Sequence, residues 1–228
     1  MIDKNNLKTL VQNLKISQDR IIAEYWEMII LKEIYESWLS EYLIFKGGTA
    51  LRLAYSSPRF SEDLDFSITK EIPSEKFKKF IQSFEEKYPE VKIDDLTNKL
   101  FTWFVILKIQ EPSLKYNLSV KIQISLRKMN NYKSEPRLLV SETTPLEVLA
   151  SVATLDQIKE DKVLAINSRE KPRDYFDLWF ISQKLKQPMP ELRKIDKKLI
   201  TLDLNKFLSL QYKTVIKHLI DQYGKPSK

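Results

Sequence analysis

Glycine is scarce in this chain, and its few glycines are unevenly placed. Only 3 of the 228 residues are glycine, far below the usual ~7%. Two of them, Gly47 and Gly48, stand side by side between the apolar run 42–45 and a helix-forming run that starts at Thr49. Glycine permits a positive φ and the close approach of another group to the backbone. We therefore predict that the pair forms a turn between a strand and a helix, needed either for the connection alone or for chemistry.

This turn has the features of a phosphate-binding helix start. Backbone N–H groups at Gly48 and Thr49 would point out of the helix N-terminus, beside the threonine hydroxyl and the positive end of the helix dipole. Because Gly-Gly-Thr is a common sequence, the motif indicates a phosphate site only together with other features.

The spacing of apolar residues predicts an α+β fold. Alternation predicts strands in the first half, and three- to four-residue periodicity predicts helices there. The prediction for the second half is helices only, the first of them opened by a capping box in Thr144-Pro145-Leu146-Glu147. We predict an α/β domain with an N-terminal helix over residues 1–142 and a helical domain over residues 143–228. The predicted strands are 42–45, 62–68, 102–110 and 118–126, and the predicted helices are 18–40, 49–55, 73–88, 145–166, 172–186 and 205–222.

Two carboxylates are expected on one face of the strand 62–68. Side chains alternate along a strand, so Asp63 and Asp65 share a face, with their Cβ atoms roughly 6–7 Å apart. Such a pair is repulsive unless a cation lies between the two groups, and oxygen ligands of this kind select Mg²⁺ or Mn²⁺. The alternative is a solvated polar strand face. The bulky neighbours Phe60 and Phe66 and the poor strand propensity of Asp favour a metal site.

A second charged cluster lies before and within the helix 172–186. Asp174 follows Pro172 in the first turn, and Asp177 lies one turn further along the same face. Helix capping and salt bridges would explain this pattern. It is also explained if Lys162 meets a triphosphate and Asp174 orders that lysine or its basic neighbours. The basic members of the cluster are Lys162, Arg169, Lys171 and Arg173.

Taken together, these segments resemble the AbiEii/AbiGii toxin family of the nucleotidyltransferase superfamily that includes DNA polymerase β. The resemblance lies in Phe45-Lys46-Gly47-Gly48-Thr49-Ala50-Leu51, Arg59-Phe60-Ser61-Glu62-Asp63-Leu64-Asp65-Phe66, Lys162, and Arg169 with the run from Lys171 to Leu178. It implies a polymerase-β-like mixed sheet flanked by helices and followed by a C-terminal helical domain.

The resemblance also implies an NTP-dependent, pyrophosphate-releasing transferase. Mg²⁺ or Mn²⁺ would be held by Asp63 and Asp65, and Lys162 and Asp174 would complete the catalytic set. Relatives act as toxins neutralised by an antitoxin protein, and some add nucleotides to tRNA ends, so the implied acceptor is the hydroxyl of an RNA or a protein. The implied nucleotide-binding residues are Lys46, Gly47, Gly48, Thr49, Arg59, Ser61, Arg173 and Asp177.

One departure from the superfamily concerns the general base. Many members carry a third carboxylate on a later strand, which here would be 118–126. The polar face of that strand shows Lys121 and Gln123 and no acid. The base is therefore either missing or supplied by Asp174 or Asp177.

Composition excludes several other classes of site. The chain has no cysteine and one histidine, which excludes Cys-ligated zinc and thiol nucleophiles and makes a Ser-His-Asp triad implausible. His218 lies on an apolar-periodic segment and is not expected to act as a base. Without an apolar run near ~18 residues or a signal-peptide pattern at residues 1–6, we expect a cytoplasmic protein that does not enter the membrane.

The charge is concentrated at one end of the chain. Lys and Arg total 38 against 31 Asp and Glu, a net charge of +7. Residues 184–228 contain 11 basic and 4 acidic residues, so they account for the whole excess. This basic end either holds RNA phosphates or is simply a solvated helical surface. Two alternatives to the transferase stay open, namely an NTP- or RNA-binding module with weak or no turnover and a metal-dependent nuclease that uses the same Asp pair.

Overall fold

A seven-stranded mixed sheet forms the centre of the fold. The computed structural model describes residues 2–127 and 131–226. The strands are β1 (Leu43–Lys46), β2 (Asp63–Ile68), β3 (Val91–Lys99), β4 (Thr102–Ile109), β5 (Leu118–Ser125), β6 (Ser134–Ser141), β7 (Thr144–Ala153) and the two-residue strands β8 (Ile195–Asp196) and β9 (Gly224–Lys225). The helices are α1 (Lys4–Leu14), α2 (Gln18–Tyr35), α3 (Gly47–Tyr55), α4 (Ser74–Lys87), α5 (Leu155–Ser168), α6 (Pro172–Leu185), α7 (Lys197–Leu204) and α8 (Lys213–Tyr223), with 3₁₀ turns at Trp38–Glu41 and Leu210–Tyr212.

The strand order places the acidic strand near the middle of the sheet. The order is β3-β4-β5-β2-β1-β7-β6, and the small strands β8 and β9 pair separately. Strand β2 runs antiparallel to β1 and parallel to β5, and β1 runs parallel to β7. The site residues on β2 therefore have neighbours on both sides, which fixes their direction.

One face of the sheet is packed and the other carries polar residues. Helix α4 covers the packed face at β4, where the rings of Phe77 and Trp103 lie 5.0 Å apart. Leu64 and Phe66 of β2 point into this core, while Asp63 and Asp65 point to the opposite face. The predicted alternation in β2 is confirmed, and so is the alternation in β5.

Helix α2 is the main helix of the core. Residues on several sides of it are buried, including Ile21, Met28, Ile30 and Leu31, as expected of a helix enclosed by other elements. The α+β class is confirmed, with its mixed sheet, flanking helices and C-terminal helices.

The helix predicted over 145–166 is wrong in its first part. Residues Thr144–Ala153 form strand β7, which pairs with β1 and β6. Val148, Ala150 and Val152 are buried on one side of this strand, and burial in the sheet outweighs the local capping-box signal. The helix starts at Leu155, and the Thr154 hydroxyl accepts a hydrogen bond from the Gln157 N–H at 3.3 Å.

This strand also moves the start of the helical part. The predicted boundary between 142 and 143 falls in the turn between β6 and β7, two neighbours of one sheet. The sheet therefore continues to Ala153 and the helical part starts at Leu155. That this helical part is a separate domain remains a prediction.

The helix predicted over 205–222 is wrong in its start. Helix α7 ends at Leu204, a 3₁₀ turn follows at Leu210–Tyr212, and α8 occupies Lys213–Tyr223. Phe207 and Leu208 are buried without helical periodicity, and the Phe207 carbonyl accepts a hydrogen bond from the Phe60 N–H. Among residues 2–127 and 131–226, no helix is both long and apolar enough to cross a membrane.

Candidate active site

The glycine pair forms the turn from β1 into α3. Gly47 has a φ of +80°, a left-handed conformation that glycine adopts without strain. A Cβ at Gly47 would lie 2.5 Å from Asp65 Oδ2, and one at Gly48 would lie 2.2 Å from Arg59 Nη2 and 2.8 Å from Ser61 Oγ. The first two residues of α3 thus touch the acidic strand and the Arg59–Ser61 segment so closely that no side chain fits between them.

Thr49 is placed differently from the sequence prediction. It is fully buried, and its hydroxyl donates a 2.7 Å hydrogen bond to the Asp63 backbone carbonyl. The hydroxyl therefore fastens α3 to β2. Any phosphate contact at this turn would come from the backbone N–H groups of the helix start, which have no partner within the helix.

Asp63 and Asp65 are the centre of the site. Asp65 lies beside Lys46 on β1 and beside Gln123 on β5, and Asp63 lies beside Lys121. Neither carboxylate forms an ion pair with a described cation, and Asp63 Oδ1 is buried without a hydrogen-bond partner. Burial, followed by the charge of Asp63, raises the pKa of Asp65 above its ordinary value. The acid pair therefore has cations nearby, among them Lys46 and Lys162, but no direct ion pair among the described residues.

Asp63 and Asp65 could supply two of the ligands of a divalent cation, and the other ligands would come from substrate and water. The described residues contain no group of three or more His, Cys, Asp or Glu side chains placed to hold a metal ion. Mg²⁺ is commonly held by one or two carboxylates, with substrate phosphates and water filling the other positions. An unpartnered buried carboxylate oxygen beside a second acid is what such a site requires, so Asp63 and Asp65 fit Mg²⁺ together with a bound triphosphate.

A buried ionic network lies next to the acid pair. Arg59 donates from Nε and Nη2 to the two oxygens of Asp177, at 2.7 and 2.9 Å. The Lys162 ammonium bridges Asp177 and Asp174, with a 2.8 Å hydrogen bond to Asp174 Oδ1. Arg169 then donates from Nε to Asp174 Oδ2 at 2.9 Å. We call these five residues, Arg59, Asp177, Lys162, Asp174 and Arg169, the ionic network.

The network keeps its members charged in spite of their burial. Burial alone would raise the pKa of Asp174, but Lys162 and Arg169 outweigh it and hold that pKa at about 2. Burial opposes the charge of Lys162, but Asp177 and Asp174 outweigh it and raise the pKa of the ammonium group. Asp177 likewise has a lowered pKa, because Arg59 and Lys162 outweigh its burial.

This geometry bears on the general base. Asp174 and Asp177 are fully buried and accept hydrogen bonds from cations. A carboxylate with a lowered pKa is a weak base. The suggestion that Asp174 or Asp177 takes the acceptor proton therefore has no support in the geometry, and their contacts suit them to positioning cations.

A second group of contacts flanks Lys46. Its ammonium lies 3.7 Å from Asp161 Oδ2 and 5.7 Å from the centroid of the Tyr132 ring. The Tyr132 hydroxyl donates to Asp161 Oδ2 at 2.5 Å. Lys46 is thus held at the edge of the site, one residue before the glycine pair and beside Asp65.

Arg173 is directed towards Glu62 and Phe207. Its Nη1 lies 3.7 Å from Glu62 Oε2, and its guanidinium carbon lies 5.4 Å from the Phe207 ring centroid. Its backbone N–H donates to Asp203 Oδ2 at 3.2 Å. These contacts give Arg173 a structural role and leave its predicted nucleotide contact untested.

Solved structures resemble this fold over most of its length. JHP933 from Helicobacter pylori has a TM-score of 0.57 at 21% identity, covering 91% of this chain and 80% of that one. MenT4, a nucleotidyltransferase toxin from Mycobacterium tuberculosis H37Rv, has a TM-score of 0.59 at 15% identity, covering 96% and 73%. Identities this low show the fold alone. No curated protein sequence matches the chain.

A sequence model of the family described as nucleotidyl transferase AbiEii toxin, type IV toxin–antitoxin system, matches residues 29–221. The chain belongs to the AbiEii family. The match contains every motif of the predicted resemblance, from Phe45 to Leu178, and it confirms that resemblance. As an AbiEii member the protein is a nucleotidyltransferase, so the predicted enzyme class is confirmed as well.

The structure brings together most of the residues predicted for the AbiEii site. Asp63, Asp65, Gly47, Gly48, Arg59 and Ser61 contact one another or lie side by side, and Lys162, Asp174 and Asp177 join them through Arg59. The individual roles of these residues remain predictions.

Sequence reasoning missed two residues that complete these contacts, Asp161 and Tyr132, which hold Lys46. Arg169, a predicted member of the charged cluster, pairs with Asp174. Asp161 and Tyr132 gave no signal, because their contacts join segments more than 25 residues apart.

Proposed function

We propose that this AbiEii protein transfers a nucleoside monophosphate from an NTP to a hydroxyl group of an RNA acceptor, in a reaction that depends on Mg²⁺ or Mn²⁺. The observation that carries the proposal is the pair Asp63 and Asp65, two carboxylates on one strand face that form no ion pair with any described cation, next to a glycine turn at a helix start. That arrangement supplies a place for a divalent cation and a place for phosphates side by side.

Two residues of β2 would hold the metal, and the α3 start would hold the triphosphate. The metal, when bound, would neutralise charge on the attacking and departing oxygens. The start of α3, whose first N–H groups have no partner within the helix, lies against Asp65, since a Cβ at Gly47 would be 2.5 Å from Asp65 Oδ2. Lys46, one residue earlier, adds a positive charge beside that space.

In this proposal the ionic network positions the cations of the site. Asp174 fixes Lys162 and Arg169, and Asp177 fixes Lys162 and Arg59. Arg59 in turn lies against Gly48. A triphosphate at the α3 start would therefore meet donors that are already oriented, and their reorganisation during the reaction would be small.

The proposed step is a balanced in-line displacement at the α-phosphorus. The acceptor oxygen forms a bond to that phosphorus, the bond from the α-phosphorus to the bridging oxygen of the β-phosphate breaks, and pyrophosphate leaves. The proton of the acceptor hydroxyl goes to solvent or to a phosphate oxygen, since Gln123 beside Asp65 offers no base. A cytoplasmic location and a cognate antitoxin protein as partner are further proposals that follow from the type IV toxin–antitoxin family.

Differently labelled nucleotides test the reaction type. The full chain is incubated with total RNA and Mg²⁺, with each NTP labelled either at the α- or at the γ-phosphate. We expect the α label in RNA and the γ label in pyrophosphate. A γ label in RNA would overturn nucleotidyl transfer in favour of phosphoryl transfer.

Three other results would contradict parts of the proposal. Label on a protein would contradict the RNA acceptor, and cleavage of RNA without any NTP would indicate the nuclease. NTP binding without pyrophosphate release would indicate a binding module. Each experiment is run beside Asp63→Asn, which keeps the size of the side chain and removes its charge.

A further inference from the structure

The sheet face that carries the acid pair continues sideways across β5 and β4. Lys121 lies beside Asp63 and Gln123 beside Asp65, and on the next strand Phe104 lies beside Gln123. These side chains are exposed or half-buried, whereas their sequence neighbours Trp103 and Val105 are buried on the other face. We call this surface, formed by Lys121, Gln123, Phe104, Thr97 and Lys99, the open sheet face.

An aromatic ring lies in the middle of the open sheet face. Phe104 is half-buried, and the Lys99 ammonium lies 5.2 Å from its ring centroid. Beside it, Thr97 of β3 has a buried hydroxyl oxygen that finds no hydrogen-bond partner in the described part of the chain. A second ring, Phe101, is 48% exposed in the turn between β3 and β4, with the Arg127 guanidinium 5.1 Å from its centroid. This part of the sheet thus carries two rings, each beside a cation, and one of them, Phe104, borders the Thr97 hydroxyl.

This surface carries exposed cations, and one of them, Lys121, lies beside Asp63. Lys121, Lys99 and Arg127 are exposed, and none of them forms an ion pair with a described carboxylate. Of the two acids on β3, Asp94 is neutralised by Lys108 at 2.7 Å, which leaves Asp95 as the acid facing Ile106. Apart from Asp63 and Asp65 themselves, the unpaired cations of this surface therefore outnumber its unpaired acids among the described residues.

The distances suit an RNA chain whose end reaches the acid pair. Neighbouring strands lie about 4.8 Å apart, so Phe104, two strands from Asp65, lies roughly 10 Å away from it. Gln123 lies between them, and Lys121, two residues from Gln123 on the same face of β5, lies beside Asp63. A base stacked on Phe104 would thus place its phosphate near Lys121 and the terminal hydroxyl near the acid pair.

We propose that the open sheet face binds the single-stranded end of the RNA acceptor, by stacking a base on Phe104 and contacting phosphate through Lys121. This inference rests on the proposed function and adds the location and the single-stranded character of the acceptor site. Aromatic stacking with lysine contacts is typical of single-strand binding surfaces, because every base offers a π face. The paired bases of a duplex could not reach the ring.

The first test is the affinity of the full chain for a fluorescein-labelled single-stranded RNA, measured without NTP. Loss of one stacking ring is expected to weaken binding about 5- to 150-fold, so we expect this for Phe104→Leu. Phe104→Tyr keeps a ring and is expected to restore most of the affinity. Tyr116→Leu is the matched control, because Tyr116 is 59% exposed on a loop outside the open sheet face. Equal affinity of wild type and Phe104→Leu would overturn the proposal.

Salt dependence separates this surface from the basic end of the chain. For a single strand, loss of one phosphate contact lowers the slope of log K against log salt by about 0.7. We expect that decrease for Lys121→Gln and no change for Lys217→Gln, an exposed lysine of α8. The opposite result would transfer RNA binding to residues 184–228 and overturn the proposal.

Transfer of α label is measured with the same proteins to keep the two claims apart. If RNA binds through Phe104 and Lys121 but no label is transferred, the proposed function is wrong and RNA binding at the open sheet face is supported. If Phe104→Leu and Lys121→Gln transfer label to RNA as well as wild type does, RNA binding at the open sheet face is wrong and the proposed function is supported.

Discussion

The five residues of the ionic network depend on one another because they are charged and mostly buried. Arg59, Asp174 and Asp177 are almost fully buried, and each touches at least one opposite charge. Removing one partner of such a buried pair leaves the other charge without compensation, which costs about 3–5 kcal/mol. We therefore regard the network as the structural base of the site.

Asp177→Asn should strongly destabilise the protein. The carboxylate accepts from both Arg59 and Lys162, so we expect the free energy of unfolding to fall by about 3–5 kcal/mol. Urea unfolding at pH 7 measures it. The control is Glu75→Gln, which removes the exposed Glu75–Lys78 pair and should leave the stability nearly unchanged. Equal effects of the two variants would contradict this account of the network.

Asp174 should contribute to acid unfolding. Its pKa in the folded protein is about 2, against an ordinary value of 3.8. A lowered acid pKa stabilises the folded state above the ordinary value, and the contribution is lost as pH falls through the folded value. At pH 7 it amounts to about 2 kcal/mol, of which about half is lost by pH 3. Asp174→Asn should thus lose about 1 kcal/mol less than wild type between pH 7 and pH 3, and an equal loss would contradict the prediction.

The residues of the site could be predicted from the sequence, but their partners could not. The motifs contained Arg59, Lys162, Asp174 and Asp177, and the structure joins all four. The Arg59–Asp177 pair spans 118 positions, and no local pattern encodes such a contact. The same limit hides the partner of the Thr49 hydroxyl, a carbonyl on the neighbouring strand; the nucleotide contact of Thr49 stays a prediction.

At the scale of elements, helix α3 begins and ends with a residue in the left-handed backbone conformation, but only its start requires glycine. Gly47 at its start has a φ of +80°, and Ser56 at its end has a φ of 61°. At the start, the acid strand lies so close that only glycine fits. At the end, a serine is accepted although glycine would suit the conformation better.

Gly47→Ala should therefore reduce both stability and activity. A left-handed alanine costs about 1–2 kcal/mol, and its Cβ would lie 2.5 Å from Asp65 Oδ2, so the carboxylate must move. We expect loss of label transfer by an amount that the stability change does not explain. Ser56→Gly, at the far end of the same helix, should neither lower the free energy of unfolding nor reduce transfer. Normal transfer by Gly47→Ala would contradict the close packing described.

The strands were predicted well where one face is buried, and poorly where local signals compete with burial. The alternation in β2 and β5 gave both their faces correctly. In β7 the sequence Thr144-Pro145-Leu146-Glu147 resembles a capping box, yet pairing with β1 and β6 makes it a strand. Strand β3 offered weak alternation, and a bulge between Ile93 and Asp95 interrupts its register.

At the scale of the whole molecule, the acid pair should link folding to ligand binding. Without a ligand, Asp65 is disfavoured as a charged group, because burial and Asp63 raise its pKa. An acid whose folded pKa is raised gains stability as pH falls through that value. Asp65→Asn should thus raise the free energy of unfolding at pH 7 in EDTA by about 1 kcal/mol, and a loss of stability would contradict this.

With Mg²⁺ and a non-hydrolysable NTP analogue, wild type should become more stable than Asp65→Asn. A ligand at 100 times its dissociation constant stabilises the folded state by about 2.7 kcal/mol. We expect this gain for wild type and for Tyr116→Leu, and little or none for Asp65→Asn. An equal gain in all three proteins would show that the metal and nucleotide bind elsewhere.

Metal-dependent nucleotidyl transfer at Asp63 is tested most directly by the transfer of α label from each NTP to RNA. Wild type and Asp63→Asn are compared, each with Mg²⁺ and with EDTA. Both proteins are first shown to unfold cooperatively, so that folding is not the difference between them. We expect labelled RNA only with wild type and Mg²⁺, because Asp63 would supply to the metal a buried carboxylate oxygen that has no hydrogen-bond partner among the described residues. Equal labelling by Asp63→Asn, or undiminished labelling in EDTA, would contradict it.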